Sequence, residues 1–295
     1  MLRISENMLG TTLRNDLQRV QGQLLQTQQE LATGKRIQEP SNHPVGTENV
    51  LQWDSALAQN AQDQTNAQDA QSWLTSGSSA LSDAVSLLQQ VRSNALSAGA
   101  GDLTQNQIQD IAAQVHAALG GLAEVANTKV GANYIFSGDQ TNTAAFAKSA
   151  SGAYTYQGGT GTIQRDLAPG VHIPVNLSGN TVFTPAFTAI SNILTDLGSG
   201  GTLSKVTGSD LTQLDAAISG LTNAEGQLGG RMQQVTAAQG QLTAIETTLK
   251  QLRAGTLDTN TAGAVIQLQQ LQVNYQSALS VGAQLMQQTL AHYLP

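Results

Sequence analysis

The side chains that carry most enzyme and metal chemistry are few here and far apart. Histidine stands at His43, His116, His172 and His292, and no two have the spacing of metal ligands. Cysteine is absent, which excludes disulfides and thiolate metal sites and leaves the compartment open. A phosphate loop needs a glycine five residues before its Gly-Lys pair. Gly34-Lys35 has none. Gly159-Thr160-Gly161 lacks the third glycine and the following helix of a dinucleotide site, and no Gly-x-Ser-x-Gly elbow is present. His116, beside an apolar seam position, reads as a helix-surface residue. The residues thus predict no catalytic, cofactor or metal site.

Carboxylates are the one charged group with a pattern. Glu48, Asp54, Asp63, Asp69 and Asp83 follow one another with no basic residue between Ile37 and Val91. That is either a solvated helix face or a surface that meets a basic partner strip. The net charge is −7, and the 13 Lys and Arg are scattered. Nucleic-acid binding needs a concentrated positive surface, so it is not expected.

Charged residues make up only 11% of the 295, against about 25% in ordinary domains. Aromatics are 4%. Much of the apolar share is Ala, which suits helices packed along narrow seams better than a thick core. No segment reads as a membrane span. The first residues, Met1 to Asn7, carry no apolar stretch like that of a secretory signal. Export is therefore expected only by a route that needs no cleaved signal.

Proline divides the chain. No proline falls in 45–168 or 186–294, so long helices are permitted there. The first helix is predicted over 5–33, on the heptad seam Leu13, Leu17, Val20, Leu24, Thr27, Leu31, with Gly34 as its C-cap. Gly34 to Pro44 reads as a linker. The second helix runs from 45 to about 98, with Ala67, Ala70, Leu74, Gly77, Leu81, Ala84, Leu88, Val91 and Ala95 as its later seam. A turn at 97–102 leads to a third, antiparallel helix over 104–127, on Ile108, Ile111, Val115, Ala118, Leu122 and Val125.

From 131 to about 188 the chain is rich in Gly, Thr, Ser and Asn, and most aromatics gather there. Tyr154/Tyr156 and Val171/Ile173/Val175 alternate with other residues, which predicts a small β-rich insertion, with Pro174 at an edge. The fourth helix spans 210–253, with a 4-3 seam from Ala217 through Leu221, Ala224, Leu228, Arg231, Val235, Ala238, Leu242, Ile245 and Leu249 to Leu252, and ends at Gly255. The fifth spans 259–292. The expected fold class is mainly α, a long antiparallel coiled-coil helical rod with a small β-rich insertion.

The last segment is the most informative. From Ala254 to Pro295 the only charged side chain is Asp258, and Gln takes the polar positions. Burying a charge costs several kcal/mol unless it is paired, whereas an amide is cheaper to bury and bonds in many orientations. Such a helix suits packing on most sides by copies of itself or a close relative; an ordinary Gln-rich surface helix is the plainer alternative. The candidate functional residues are the terminal seams. They are Leu13, Leu17, Val20, Leu24 and Leu31 in the first helix and Leu268, Leu271, Tyr275, Leu279, Met286 and Leu290 in the last.

Two motifs go further. One is Met1-Leu2-Arg3-Ile4-Ser5, the Leu-rich helix, Gly34-Lys35-Arg36-Ile37 and Pro40-Ser41-Asn42-His43-Pro44-Val45. The other is Ala126-Asn127-Thr128, then Gly131, Tyr134-Ile135-Phe136-Ser137-Gly138 and Thr141. With the neutral C-terminal helix, they resemble the flagellin-like hook-associated proteins of the hook–filament junction. The likeness covers about 1–146 and 210–295. Asn42-His43 stand where two acidic residues are common in the family, and Ala145-Phe146 where Pro-Phe is common.

The resemblance implies a flagellin-like fold and a structural subunit of the bacterial flagellum, outside the cell, exported by the flagellar type III system. It implies a terminal helical assembly domain, 1–44 with 255–295, disordered in the monomer, in which Leu13, Leu17, Val20, Leu24 and Leu31 come to face Leu268, Leu271, Tyr275, Leu279 and Met286, with Leu290 beyond. It also implies a central helical rod of 45–140 with 205–254 and an outward β-rich insertion of 141–204. The implied partners are further copies in a ring, the hook-associated protein FlgK, flagellin and an export chaperone of the FlgN type, with no nucleic acid and no membrane. A filament-forming flagellin is the near alternative. A coiled-coil adhesin or secreted effector, whose insertion binds a host ligand, is the more distant one.

Overall fold

A computed structural model describes residues 2–41, 43–99, 103–150, 152–168, 170–198 and 203–291. Of 2–7, 9 and 285–291 it describes the backbone alone. The helices are α1 (Leu2–Thr33), α2 (Pro44–Ala98), α3 (Gln105–Ala126), α4 (Gly179–Gly198), the short α5 (Leu203–Lys205), α6 (Leu211–Leu257) and α7 (Thr261–Ala291). A π-helical turn, Val206–Asp210, leads into α6. Three antiparallel hairpins complete the fold: β1 (Lys129–Val130) with β2 (Asn133–Tyr134), β3 (Phe146–Lys148) with β4 (Tyr154–Tyr156), and β5 (Gln164–Ala168) with β6 (Val171–Pro174). The protein is mainly α.

The chain divides into two compact units. One holds 59–244, the other 1–58 with 245–295. In the 59–244 unit all nine expected α2 seam positions, Ala67 to Ala95, are buried. Small seam residues let helices approach closely: a Cβ on Gly77 would lie 3.0 Å from Leu228 of α6. Asn60 Nδ2 donates to the Leu242 carbonyl (3.1 Å) and Arg92 pairs with Asp215 (2.7 Å), so α2 and α6 run antiparallel. α3 starts from a capping box in which the Thr104 hydroxyl accepts from the Gln107 N–H (3.4 Å) and the Gln107 side chain accepts from the Thr104 N–H (2.8 Å). Leu87 lies against Gly121, which makes α3 antiparallel to α2. Val115, Ala118 and Leu122 are buried as expected, and His116 is exposed.

The β-rich stretch ends at Pro174, not near 188. Gly179–Gly198 is a helix with Pro185 inside it. Proline there removes one N–H bond of the ladder. Burial of Val182, Phe183, Ala186, Phe187, Ile190, Ile193 and Leu197, spaced three and four apart, offsets that loss. All four phenylalanines meet here. Phe136 and Phe183 have ring centroids 4.8 Å apart, and Phe146 and Phe187 4.6 Å. Tyr156 packs on Phe146 and Tyr154 on Phe187.

The second quoted motif is a structural staple of this unit. Asn127 Oδ1 accepts from the Phe146 N–H and Asn127 Nδ2 donates to the Phe146 carbonyl, both at 2.9 Å. The Ser137 hydroxyl donates to the Thr143 carbonyl at 2.6 Å. Gly138 has φ +63, and a Cβ there would lie 2.1 Å from the Gly159 carbonyl oxygen, so only glycine fits.

Other expectations shift. Gly255 does not end α6, which continues to Leu257 because that residue packs with Ile37, Val50 and Trp53. The α6 seam is buried or half-buried from Ala217 to Leu242, but Ile245 and Leu252 are exposed. Asp63 is buried, its carboxylate accepting from Gln59 Nε2 at 3.0 Å, and Asp54 pairs with Arg253 at 2.6 Å. The acidic series on α2 is therefore not one solvated face. Part of the expected turn after α2, residues 100–102, lies outside the described residues.

Candidate assembly surface

The unit of 1–58 and 245–295 contains α1, α7 and the adjoining ends of α2 and α6. Heptad leucines make one side of α1 apolar, and α7 lies along it. Leu13, Leu17, Val20, Leu24 and Leu31 are half-buried, and Thr27 is buried, its hydroxyl donating to the Gln23 carbonyl at 2.9 Å. From α7 the seam takes Leu271, which is buried, and Leu268 and Tyr275, which are half-buried. It also takes Ala264, Ala278 and Gly282, small positions that a search for large apolar residues passes over. A Cβ on Gly282 would come within 2.9 Å of Leu13 Cδ2, so the two backbones approach closely there.

Leu279 departs from its expected place. It is 46% exposed and lies off the α1 seam. At about 3.6 residues per turn, Ala278 and Gly282 fall under α1 and Leu279 swings to the side. The side chains of Met286 and Leu290 lie outside the described residues, so the structure brings together eight of the eleven seam candidates from sequence: Leu13, Leu17, Val20, Leu24, Leu31, Leu268, Leu271 and Tyr275.

The same unit leaves much apolar surface uncovered. Met8, Leu25, Val45, Leu51, Ile245, Leu252, Val265, Ile266, Val273, Leu279 and Val281 are all exposed. Ile266 and Val273, a heptad apart and each at least 60% exposed, fall on the side of α7 away from α1. α7 thus has two apolar faces and no charged side chain. Ile266, Val273 and Val281 escape even a broad apolar face read from the sequence, because they lie off the side of α7 that its larger residues mark. Each such side chain contributes about 1.5–3 kcal/mol when a neighbour buries it fully.

At the root of the helix pair the two linkers pair with each other. Lys35 and Asp258 form an antiparallel bridge. The Arg36 N–H donates to the Leu257 carbonyl (2.7 Å), the Thr259 N–H to the Gly34 carbonyl (2.9 Å), and Arg36 Nη2 to the Thr256 carbonyl (3.0 Å). Gly34 has φ +69, which turns the chain out of α1 into this bridge. Beside it, Pro40, Pro44 and Leu51 line a shallow groove of about 600 Å³. Among the described residues no group of three or more His, Asp or Glu could hold a metal ion. None of the described helices is long and apolar enough to cross a membrane.

Comparison with known proteins agrees with that geometry. Residues 4–141 match the family described as the bacterial flagellin N-terminal helical region. Flagellar hook-associated protein 3 of Salmonella typhimurium and that of Escherichia coli are each 24% identical to this chain over 183 residues, 62% of its length. The match spans 57% of the length of those relatives. Among solved structures, Bacillus cereus FlgL superposes with a TM-score of 0.61 at 20% identity, covering 69% of this chain and 99% of that one. Xanthomonas campestris FlgL gives 0.63 at 16%, covering 68% and 99%. The flagellar junction protein FlgL from Legionella pneumophila gives 0.59 at 16%, covering 72% and 99%. The fold is flagellin-like, and in sequence and fold the chain resembles FlgL.

Proposed function

We propose that this chain is a structural subunit of the bacterial flagellum, a FlgL-type protein that joins hook to filament. One observation carries the reading: α1 and α7 form a pair whose outer side keeps large apolar residues in water, on a last helix without charge. Neighbouring subunits would bury them. The role is assembly, not catalysis. Further copies complete a ring, FlgK lies on the hook side and flagellin on the filament side. A chaperone of the FlgN type would hold α7 before export by the flagellar type III route. The hook-associated relatives and the flagellin-type helical region support the flagellar setting.

On this reading 1–44 and 255–295 are the assembly domain, 45–140 with 205–254 a central rod, and 141–204 an outward domain. A monomer cannot offset the ordering entropy of two long helices with one half-buried seam, so the assembly domain is disordered until neighbours are present. Leu13, Leu17, Val20, Leu24, Leu31, Leu268, Leu271, Tyr275, Leu279, Met286 and Leu290 act in that ordering, with Leu279 turned to a neighbour rather than to α1.

A strain lacking this protein should release unpolymerised flagellin into the medium. The intact chain should restore filaments, and Leu271→Asp should be exported yet fail to restore them. Normal filaments in the deletion strain would overturn the proposal. Growth of long filaments from the purified protein, seen by electron microscopy, would favour a flagellin instead.

A further inference from the structure

Packing alone does not account for an arginine in a helix seam. Arg231 stands on α6 between Leu228 and Val235, both buried, at a place where the heptad asks for an apolar side chain. It is half-buried, and burial lowers its pKa from the ordinary value. Its Nη1 donates to the Asn176 carbonyl at 3.0 Å. Asn176 is buried where the chain leaves the β5–β6 hairpin for α4. Its side chain ties the two legs of that hairpin together. Oδ1 accepts from the Ile163 N–H at 2.9 Å, and Nδ2 donates to the Gly161 carbonyl at 3.0 Å. The Val175 N–H donates to the Ile163 carbonyl beside them, at 2.9 Å. Asn176 thus closes the neck of the hairpin, and Arg231 fixes the neck to α6.

Beyond the neck the ties to the helices are few. Asn66 of α2 donates to the Asp166 carbonyl at 3.0 Å, in an exposed bond. The Arg165 guanidinium lies 6.0 Å from the centre of the Trp73 ring, at the limit of a cation–π contact. Leu167 and Ile173 are buried, but Gln164, Asp166, Val171 and His172 are exposed. Among the described residues the hairpin pairs with no third strand, and a lone hairpin is marginal in water. A hydrogen bond from an ionised donor is roughly twice as strong as a neutral one. The bond from Arg231 is therefore the strongest polar tie of the seat.

We propose that the β5–β6 hairpin opens as a unit of its own while the helices stay folded, and that Arg231 is the positioning residue whose bond to Asn176 sets how often it does so. Domains open locally in such units, each with its own free energy. The closed neck makes the two legs leave the helices together. The seat lies wholly within 59–244 and does not depend on the junction reading.

Hydrogen exchange in the full-length protein under native conditions tests this. In the unaltered chain the amides of 163–175 should exchange at least about tenfold faster than those of 74–88 in α2 and 221–235 in α6. Arg231→Met places an apolar, helix-favouring side chain in the seam. It should speed the hairpin amides a further ten- to hundredfold, roughly, and leave the helix amides within about twofold. Asn66→Ala should speed them by no more than about tenfold. Arg231→Lys keeps the charge without the fork and should lie between the unaltered chain and the Met variant.

Trypsin supplies a second readout. Arg165 is the only Lys or Arg between Lys148 and Lys205, and it sits within β5. Cleavage after it should follow the same order as exchange. Hairpin amides that exchange no faster than the helices in the unaltered chain would overturn the proposal. So would an Arg231→Met chain with unchanged hairpin exchange, or one in which hairpin and helices speed up by the same factor. A Met variant that no longer folds counts with this last outcome, since Arg231 would then hold the helices themselves.

Discussion

The two units follow opposite rules with the same building material. In the 59–244 unit, Leu74, Leu81, Leu88, Leu122, Leu214 and Leu221 are fully buried, and among the described residues only Leu96 and Val171 are exposed large hydrophobics. Among the described residues of the unit of 1–58 and 245–295, the buried hydrophobics are Ile37, Val50, Leu257, Ala264 and Leu271, while eleven large ones lie in water. Both units use heptad helices. What differs is how many helices share a seam. α2, α3, α4 and α6 contribute to one cluster, whereas α1 and α7 have each other. A helix pair leaves the far side of each helix bare, so its stability depends on what surrounds it.

The sharpest way to break this contrast is to make matched changes in the two units. Phe183→Ala removes a fully buried ring that packs edge-on against Phe136, and it should cost about 3–5 kcal/mol. Thermal unfolding followed by circular dichroism should show the main transition falling by many degrees. Val273→Asp changes an exposed residue and should leave that transition in place, within about 0.5 kcal/mol. Its effect should instead appear in cells, as lost filament attachment. If Val273→Asp lowers the transition as Phe183→Ala does, the outer face of α7 is already covered in the monomer and the contrast is wrong.

A middle-sized effect tests the staple in the 59–244 unit. Asn127→Ala deletes both bonds to the Phe146 backbone and leaves its half-buried polar groups without that partner. The expected loss is about 1–3 kcal/mol, read as a shift of the urea midpoint without a change in slope. Asn127→Asp keeps the acceptor and loses the donor, so it should recover only part of the loss.

Much of this was legible in the residues because periodicity is a one-dimensional signal. The nine α2 positions from Ala67 to Ala95 repeat at four and three, and all are buried. α4 was missed for a local reason. Pro185 and the Gly-, Thr- and Asn-rich approach to it hid a clear row from Val182 to Leu197, and the alternation of Val171, Ile173 and Val175 was carried too far along the chain. On α7 size is a poor mark of burial: the seam place expected for Leu279 belongs to Ala278 and Gly282. Where helices approach closely the seam favours small residues. The bridge between the linkers at Lys35 and Asp258 leaves no periodic trace at all. It joins segments more than 200 positions apart through backbone groups, which any residue but proline supplies.

The smallest expected effect lies at the start of α6. Asp210 is buried in the π-helical turn, with Ser209 donating to Oδ1 at 3.2 Å and Oδ2 left without a partner. Burial pushes its carboxyl above the usual range, opposed by the Ser209 bond and reinforced by the nearby Asp196 carboxylate. The folded chain therefore holds this proton more tightly than the unfolded one. The stabilising contribution is complete below the unfolded-state value, about 3.9, and is lost as pH rises through the folded-state value. At neutral pH the ionised Asp210 weakens the fold. Asp210→Asn should raise the melting temperature slightly at pH 7 and by less at pH 3, below the ordinary carboxyl value, where protonation removes the charge that the amide replaces. An equal gain at both pH values would mean that the charge plays no part. A loss at pH 7 would mean that the carboxylate is satisfied where it sits.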